Sequence, residues 1–505
     1  MPGYCITMKR ILVMMLVAIT AVRCKKLTEE RKVIIVGAGI AGIAAAKTLH
    51  ENGVDDFVIL EGSDRIGGRM RQVEFGGVKV EIGANWVQGL GNNPIWELAQ
   101  RYNFSGKISN YDDVIIRNKT GSDVTEQAEG AWERLGTAQE SLKALRKKIR
   151  ENKLPDVSMR VALKLGGWKP KTPIEKAIEY FDYEFEYADP PEVTSLNNTG
   201  RNSEDFTDEE YFLTDQRGFG HIVDRLSSEF LSPNDTRRQL NKVVQTVNWT
   251  DAGVTITTVD GSTYRGEYGL MTVSVGVLEN EVIDFTPDLP SWKVEEIYQF
   301  RMGQYCKIFL KFPRKFWDNS EFILYAGSLW PQYAIWQNLE APGIFPNGTN
   351  ILLVTAVASE VQRIELQSDE ATQQEVMAVL RNMYGNNIPE PESILVPRWL
   401  TNPLFFGAYS NWPIHVTARD FQKLAAPVGR LYFGGEATHP RYNGYVQGGY
   451  LSGIDQANAI LKCMQKGICQ SYRPDVSKGT SVAPAVFAVL LLLLLAAILV
   501  VYGYI

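Results

Sequence analysis

The chain is poor in the residues that build metal centres and covalent frameworks. Four histidines among 505 residues leave little scope for zinc, and no metal-ligand spacing is present. Five cysteines are too few for a disulfide scaffold. Cys5 and Cys24 fall in or beside an N-terminal apolar run, and Cys463 and Cys469 are placed to pair in an oxidising compartment. A basic excess is also missing. The net charge of −6 disfavours nucleic acid as the main partner and is compatible with a cationic one. No internal repeat is present.

Charge is absent altogether from Val482 to Ile505, a run long enough to cross a bilayer. Either a membrane span or a GPI-attachment signal fits. Ser477, Gly479 and Ser481 are small enough for attachment, but the polar spacer is nearly missing, which favours the span. At the other end, Lys9 and Arg10 precede the apolar run Ile11 to Ala21, the layout of a secretory signal peptide over residues 1–24. Six N-x-S/T sequons begin at Asn103, Asn118, Asn197, Asn234, Asn248 and Asn347 and support that reading.

What is present is a nucleotide motif. In "KVIIVGAGIAGIAAAKTLHENGVDDFVILE", Lys32 to Val36 is a β-branched strand. Gly37, Gly39 and Gly42 follow at G-x-G-x-x-G spacing: the first for a tight turn, the second for close approach of a pyrophosphate, the third for helix–strand packing. Ile40 to Glu51 reads as a helix whose N-terminus offers free N–H groups to phosphate. Phe57 to Leu60 is a second strand, and Glu61 at its end can accept from a ribose hydroxyl. NAD and FAD both fit this unit.

Further along, "GVKVEIGANWVQGL" reads as a strand breaking into a loop at Gly83. Asn110 to Lys171 is helix-prone, with a basic cluster expected to be solvated. Gln239 to Leu278 returns to strand patterning with turns at Asp251 to Gly253 and at Asp260–Gly261. "GRLYFGGEAT" and "GYVQGGYLSGIDQANAILKCM" end the globular part as strand, glycine turn and helix, repeating the opening pattern. A nucleotide fold opened near residue 32 and closed near 460 must be interrupted by insertions.

Four blocks carry a family resemblance: the opening motif with "LEGSDRIGGRM", then "EIGANWVQG", "MGQYCKIFLKFPRKFW" and "LYFGGEATHPRYNGYVQGGYLSGIDQA". From about Lys32 to Met464 the chain resembles the flavin-containing amine oxidases, and most closely the secreted plant polyamine oxidases. "FDYEFEYADPPEVTSL" and "VPRWLTNPLFFGAYSNWP" look specifically like the polyamine branch.

The resemblance implies FAD and a discontinuous α/β fold. A doubly wound FAD domain would take residues 32–105, 216–295 and 406–465, and a mixed-sheet substrate domain residues 106–215 and 296–405, with a linker over 466–481 before the tail at 482–505. Gly37, Gly39 and Gly42 would cradle the pyrophosphate, Glu61 hold the adenosine ribose and Arg69 neutralise phosphate. Val244 would meet adenine, and Glu436 the ribityl or phosphate part. Trp399 and Tyr445 would flank the isoalloxazine, with Gly444 and Val446 beside it. "RYNGYVQGG" lacks the cysteine that tethers flavin in monoamine oxidases, so FAD should be held non-covalently.

The implied reaction oxidises an amine and passes electrons to O₂. A free alkyl amine has a pKa of about 10.4, so its neutral form at pH 7 costs on the order of 4–5 kcal/mol unless the site helps. An apolar aromatic chamber does so by disfavouring charge. Tyr183, Phe185, Tyr409 and Tyr445 would supply it. Remote ammonium groups want carboxylates, and "FDYEFEYADPPE" offers Asp182, Glu184, Glu186, Asp189 and Glu192. An acidic run is ordinarily a solvated loop; the resemblance makes Glu184 the favoured anchor.

Lys307 lies on the second face of a strand, where a lysine is ordinarily exposed. The family pattern instead puts a lysine there, linked through water to flavin N5. Where the secreted plant enzymes carry glutamate this chain has Gln88, which can hydrogen-bond an amine but adds no charge. That leaves open which polyamine is used (spermidine, spermine or thermospermine) and whether cleavage is terminal or back-converting. Leu400 stands where a further tryptophan is common. The alternatives are an oxidase of amino acids or monoamines, and a membrane-tethered flavin binder without turnover.

Overall fold

In the computed structural model, which describes residues 28–200, 202–467, 469 and 472, the β-branched run forms the strand Thr28–Val36. It pairs in parallel with Phe57–Leu60 on one edge and Thr263–Met271 on the other. A strand flanked on both edges and covered on both faces needs apolar side chains throughout, and Val33 to Val36 meet that need, all buried. The sheet runs Asp284–Thr286, Val244–Trp249, Val254–Thr258, Thr263–Met271, Thr28–Val36, Phe57–Leu60, Arg238–Gln239, and Leu431–Phe433 pairs with Thr263–Met271 as its eighth strand. Its members come from three separate stretches of chain.

The helix Ile40–Glu51 crosses between the first two strands. Against it packs the last helix, Val446–Lys466. The approach is close: a Cβ on Gly453 would lie 2.1 Å from the carbonyl oxygen of Ala41.

A second, six-stranded sheet runs Ser393–Leu395, Tyr305–Lys311, Ile351–Val357, Ile335–Asn338, Phe322–Ala326, Val114–Asn118. It is mixed, antiparallel except for the final parallel pair. Cys306, Ile308 and Leu310 face a core shared with the helices Ser359–Leu366 and Asp369–Tyr384. The opposite face of the same strand, which carries Lys307, is buried as well. The helix-prone region yields Thr125–Glu151, with a buried stripe from Ala128 to Ile149 and with Lys143 and Lys147 in solvent.

One expectation is revised. The chain after Gly83 does not remain a loop: Trp86–Gln88 forms a strand paired antiparallel to Glu210–Leu213, which in turn pairs with Gly106–Ile108. Three residues are too few to show an alternation in sequence. Cys463 and Cys469 form a disulfide. Among the described residues no helix is long and apolar enough to cross a membrane; the readings of residues 1–24 and 482–505 fall outside the described residues.

Candidate active site

A cavity of about 770 Å³ runs from the glycine turn after the first strand to an aromatic wall beside the second sheet. At the first end, Gly37 has φ +105°, a conformation that requires glycine. Gly42 does not line the cavity. It lets the helix sit on the turn, since its Cβ would stand 1.9 Å from the Gly37 carbonyl oxygen. Gly39 differs from both. Its φ of −70° suits any residue, and a Cβ there would meet nothing within 4 Å. Nothing in the protein demands glycine at this position, whereas a ligand resting on the turn would.

The helix that starts at Ile40 has no side-chain cap, and neither does the one that starts at Val446. Both N-termini open onto the cavity, where unpaired N–H groups and the helix dipole favour an anion. Glu61 accepts from the Ala38 N–H at 2.7 Å and from the Ser63 N–H and hydroxyl, which fixes its carboxylate at the cavity edge. Val244, Trp399, Gly444 and Val446 also line the cavity. Trp399 is oriented by its indole N–H, which donates to the Ile82 carbonyl at 2.8 Å.

Glu436 is a hub. It accepts from Arg69 at 2.8 Å, from the Ser410 N–H and hydroxyl, and from the Gly444 N–H at 2.7 Å. Arg69 also donates to the Ala408 carbonyl. These bonds join the glycine turn after the Leu431–Phe433 strand to the start of the last helix. Anion-ready N-termini, a ribose-competent carboxylate, an arginine and a glycine with no internal reason to be one together fit a dinucleotide.

Along the other end, Phe185, Tyr305, Tyr409, Trp412 and Tyr445 form a chain of ring contacts with centroids 5.5–6.2 Å apart. All five line the cavity, together with Trp86. Tyr183 does not; it packs among the buried residues around the helix Thr125–Glu151. Glu184 is outside the lining too. Its carboxyl is held in the interior, with Oε2 lacking a hydrogen-bond partner, and burial pushes its pKa well up.

The acid of this segment that reaches the cavity is Glu186. It accepts from the Tyr445 hydroxyl at 2.8 Å and from the Gln88 amide at 3.3 Å. The other acids are engaged elsewhere: Asp182 with Gln139, Asp189 with Arg301 and Asn411, Glu192 with Arg160. The cause is local. Tyr180–Glu184 is one turn of π-helix, which shifts the phase of every following side chain.

Lys307 is only 4 % exposed. Its ammonium donates to the carbonyls of Gly83 at 2.7 Å and Glu81 at 3.2 Å and to the Asn85 side-chain oxygen at 3.3 Å, and it lies 5.1 Å from the Trp86 ring centroid. Burial lowers its pKa, opposed by the charge of Glu81. Burial raises that of Glu81, whose Oε1 accepts from the Phe219 N–H and whose Oε2 has no partner. The two groups are thereby brought toward a common proton affinity. Sequence reasoning missed Glu81, Asn85 and Glu210. Glu81 was readable only as the last residue of an alternating strand, and Asn85 and Glu210 carried no signal of burial.

The profile of the flavin containing amine oxidoreductases matches residues 40–461. The chain belongs to that family. Polyamine oxidase 1 of Zea mays is 41% identical over 466 residues, covering 88% of this chain and 93% of its own. Polyamine oxidase 6 of Oryza sativa subsp. japonica is 42% identical over 467 residues with the same coverage. A solved putrescine oxidase, the wild type bound to putrescine, superposes with a TM-score of 0.68 at 18% identity, over 86% of this chain and 99% of that one. At that identity the likeness speaks for the flavin amine oxidase fold alone. Membership accounts for the cavity's two characters, anion-binding at one end and aromatic with acids at the other.

Proposed function

We propose that this protein is a polyamine oxidase with non-covalently held FAD, and that one observation carries the reading: Glu186 and an unbroken aromatic wall line the same cavity as the dinucleotide turn. Bound FAD supplies the oxidant that takes a hydride from the carbon beside an amine nitrogen and returns the electrons to O₂ as H₂O₂. The protein's residues then have distinct tasks. Gly37, Gly39, Glu61, Arg69, Val244 and Glu436 would hold the nucleotide, and Trp399, Gly444, Tyr445 and Val446, which line the same cavity, would border the flavin. Gly42 serves by packing.

Glu186 takes a substrate ammonium group by a charge-assisted hydrogen bond. Phe185, Tyr305, Tyr409 and Tyr445 exclude water, so the reacting nitrogen sheds its proton more readily than it would in solution. Gln88 orients Glu186 and offers its amide to the substrate. Lys307, held by three acceptors, keeps a proton on the cavity wall that Glu81 can balance when it leaves. The acidic aromatic lining favours an oligoamine over an amino acid, whose carboxylate would want a cation.

We also read residues 32–105, 216–295 and 406–465 as the FAD domain and the intervening stretches as the substrate domain. The secretory route, with the face carrying the site outside the cell and a tether at 482–505, is supported by the terminal apolar runs, the Cys463–Cys469 disulfide and four exposed sequon asparagines. The deciding experiment is simple. Purified protein should be yellow and should bleach anaerobically with spermine but not with alanine or benzylamine. Bleaching by alanine alone, or colour that no amine bleaches, overturns the reading.

A further inference from the structure

Gln88 removes a negative charge from the wall where a glutamate was expected, yet the wall has not lost it. In the pairing of Trp86–Gln88 with Glu210–Leu213, Gln88 stands directly opposite Glu210. Opposed residues in an antiparallel pair project from the same face with Cβ atoms roughly 5 Å apart. Both line the cavity.

We infer that Glu210 is the second carboxylate of the amine chamber, and that it shares one proton with Glu186 until an ammonium group displaces it. The inference rests on the amine oxidase reading above. The Gln88 amide lies between the two acids: it donates to Glu186 at 3.3 and 3.5 Å and stands across the strand pair from Glu210. Tyr111 donates its hydroxyl to Glu210, and Tyr445 to Glu186. The other groups whose fields act on the pair are the neutral phenols of Tyr187, Tyr305 and Tyr409 and, on Glu186, the carboxyl of Asp182. Among the described residues neither acid has a lysine or arginine partner.

Two neighbouring buried acids, neither paired with a lysine or arginine among the described residues, cannot both ionise cheaply, so one proton is retained between them. Burial and the charge of Glu186 raise the pKa of Glu210 to about 8, and burial raises that of Glu186. An arriving ammonium supplies the missing cation. The retained proton leaves to solvent, and both carboxylates face the ligand ionised. The empty pair thus carries about one negative charge and the occupied pair two. Its full attraction is reserved for a cation already in place, which favours chains with more than one amine.

The test uses the FAD-loaded protein and 1,8-diaminooctane as the probe, titrated calorimetrically in buffers of different ionisation enthalpy. Wild type should release close to one proton per diamine at pH 7. Glu210→Gln should release almost none and bind about 10- to 100-fold more weakly at pH 8. Moving the charge back across the pair, in Gln88→Glu/Glu210→Gln, should restore most of the affinity. Wild-type affinity and proton release in Glu210→Gln overturn the inference, as does a loss that the double variant fails to repair. Should Glu210→Gln not fold, Gln88→Glu decides: a third acid must increase proton release, and unchanged release sinks the shared-proton scheme. A protein that binds the diamine with proton release but oxidises no polyamine keeps this inference and defeats the proposed function instead.

Discussion

A Cβ placed on Gly42 would stand 1.9 Å from the carbonyl oxygen of Gly37, while one on Gly39 meets nothing within 4 Å. The two glycines of one motif therefore answer to different demands. Gly42→Ala should destabilise the protein by about 3 kcal/mol through overpacking. Gly39→Ala should fold with unchanged stability as apoprotein and bind FAD at least about tenfold more weakly. Denaturant titration of apoprotein, followed by flavin titration, separates the two effects. Equal FAD affinity in Gly39→Ala would remove the turn from the cofactor site.

Lys307→Met keeps the length of the side chain and deletes its proton. FAD should stay bound, because Lys307 is not among the nucleotide-holding residues. Flavin bleaching by spermine, or its reoxidation by O₂, should slow about 100-fold. Stopped-flow absorbance reads both halves, and unchanged rates in both dismiss the role.

Glu436 satisfies Arg69, Ser410 and Gly444 at once. Replacing it by alanine leaves a partly buried arginine without its carboxylate and three donors without that acceptor. The expected cost is about 3–5 kcal/mol of stability, with loss of FAD on gel filtration. Glu436→Gln, which keeps the acceptor but not the charge, should fall between. A Glu436→Ala protein as stable and as yellow as wild type would contradict the hub.

The folded pKa of Glu210 is raised to about 8 from an ordinary 4.5. Between those values the folded protein holds a proton that the unfolded chain does not. Its share of stability is whole below about pH 4.5 and declines as pH rises toward 8. Glu210→Gln should flatten that decline by at most about 1.4 kcal/mol per pH unit. Urea midpoints measured at intervals from pH 5 to pH 8 provide the check, and parallel curves would refute it.

Asn103, Asn234, Asn248 and Asn347 are exposed, whereas Asn118 and Asn197 are only half-exposed and bonded to neighbours. Protein made through a eukaryotic secretory pathway should carry glycans at some or all of the first four and little at the other two. Peptide mass spectrometry after enzymatic deglycosylation reports this directly. Absence of glycan at every site would count against secretion.

Much of this was legible in sequence, for identifiable reasons. The opening βαβ unit was readable because its strand, glycines and helix are each dictated locally. Lys307 was different. Strand alternation put it on a second face, and only the resemblance told that this face is buried rather than wet. Glu184 was preferred to Glu186 on the resemblance alone, and nothing in the sequence announces the π-turn over Tyr180–Glu184, which resets the direction of the carboxylates that follow. Glu210 stayed hidden because its importance lies in what sits across the strand pair, 122 residues earlier in the chain. Non-local pairing leaves no mark on a short strand.

The eight-stranded sheet has a consequence for how the protein is made. Its strand Leu431–Phe433 and the helix Val446–Lys466 are among the last parts of the globular chain to be translated, yet both border the nucleotide turn formed near residue 37. A ribosome that has synthesised the first turn must add some four hundred residues before the opposite wall exists. Flavin capture must therefore wait until that helix has been made, and a nascent chain stalled short of it would be a colourless one.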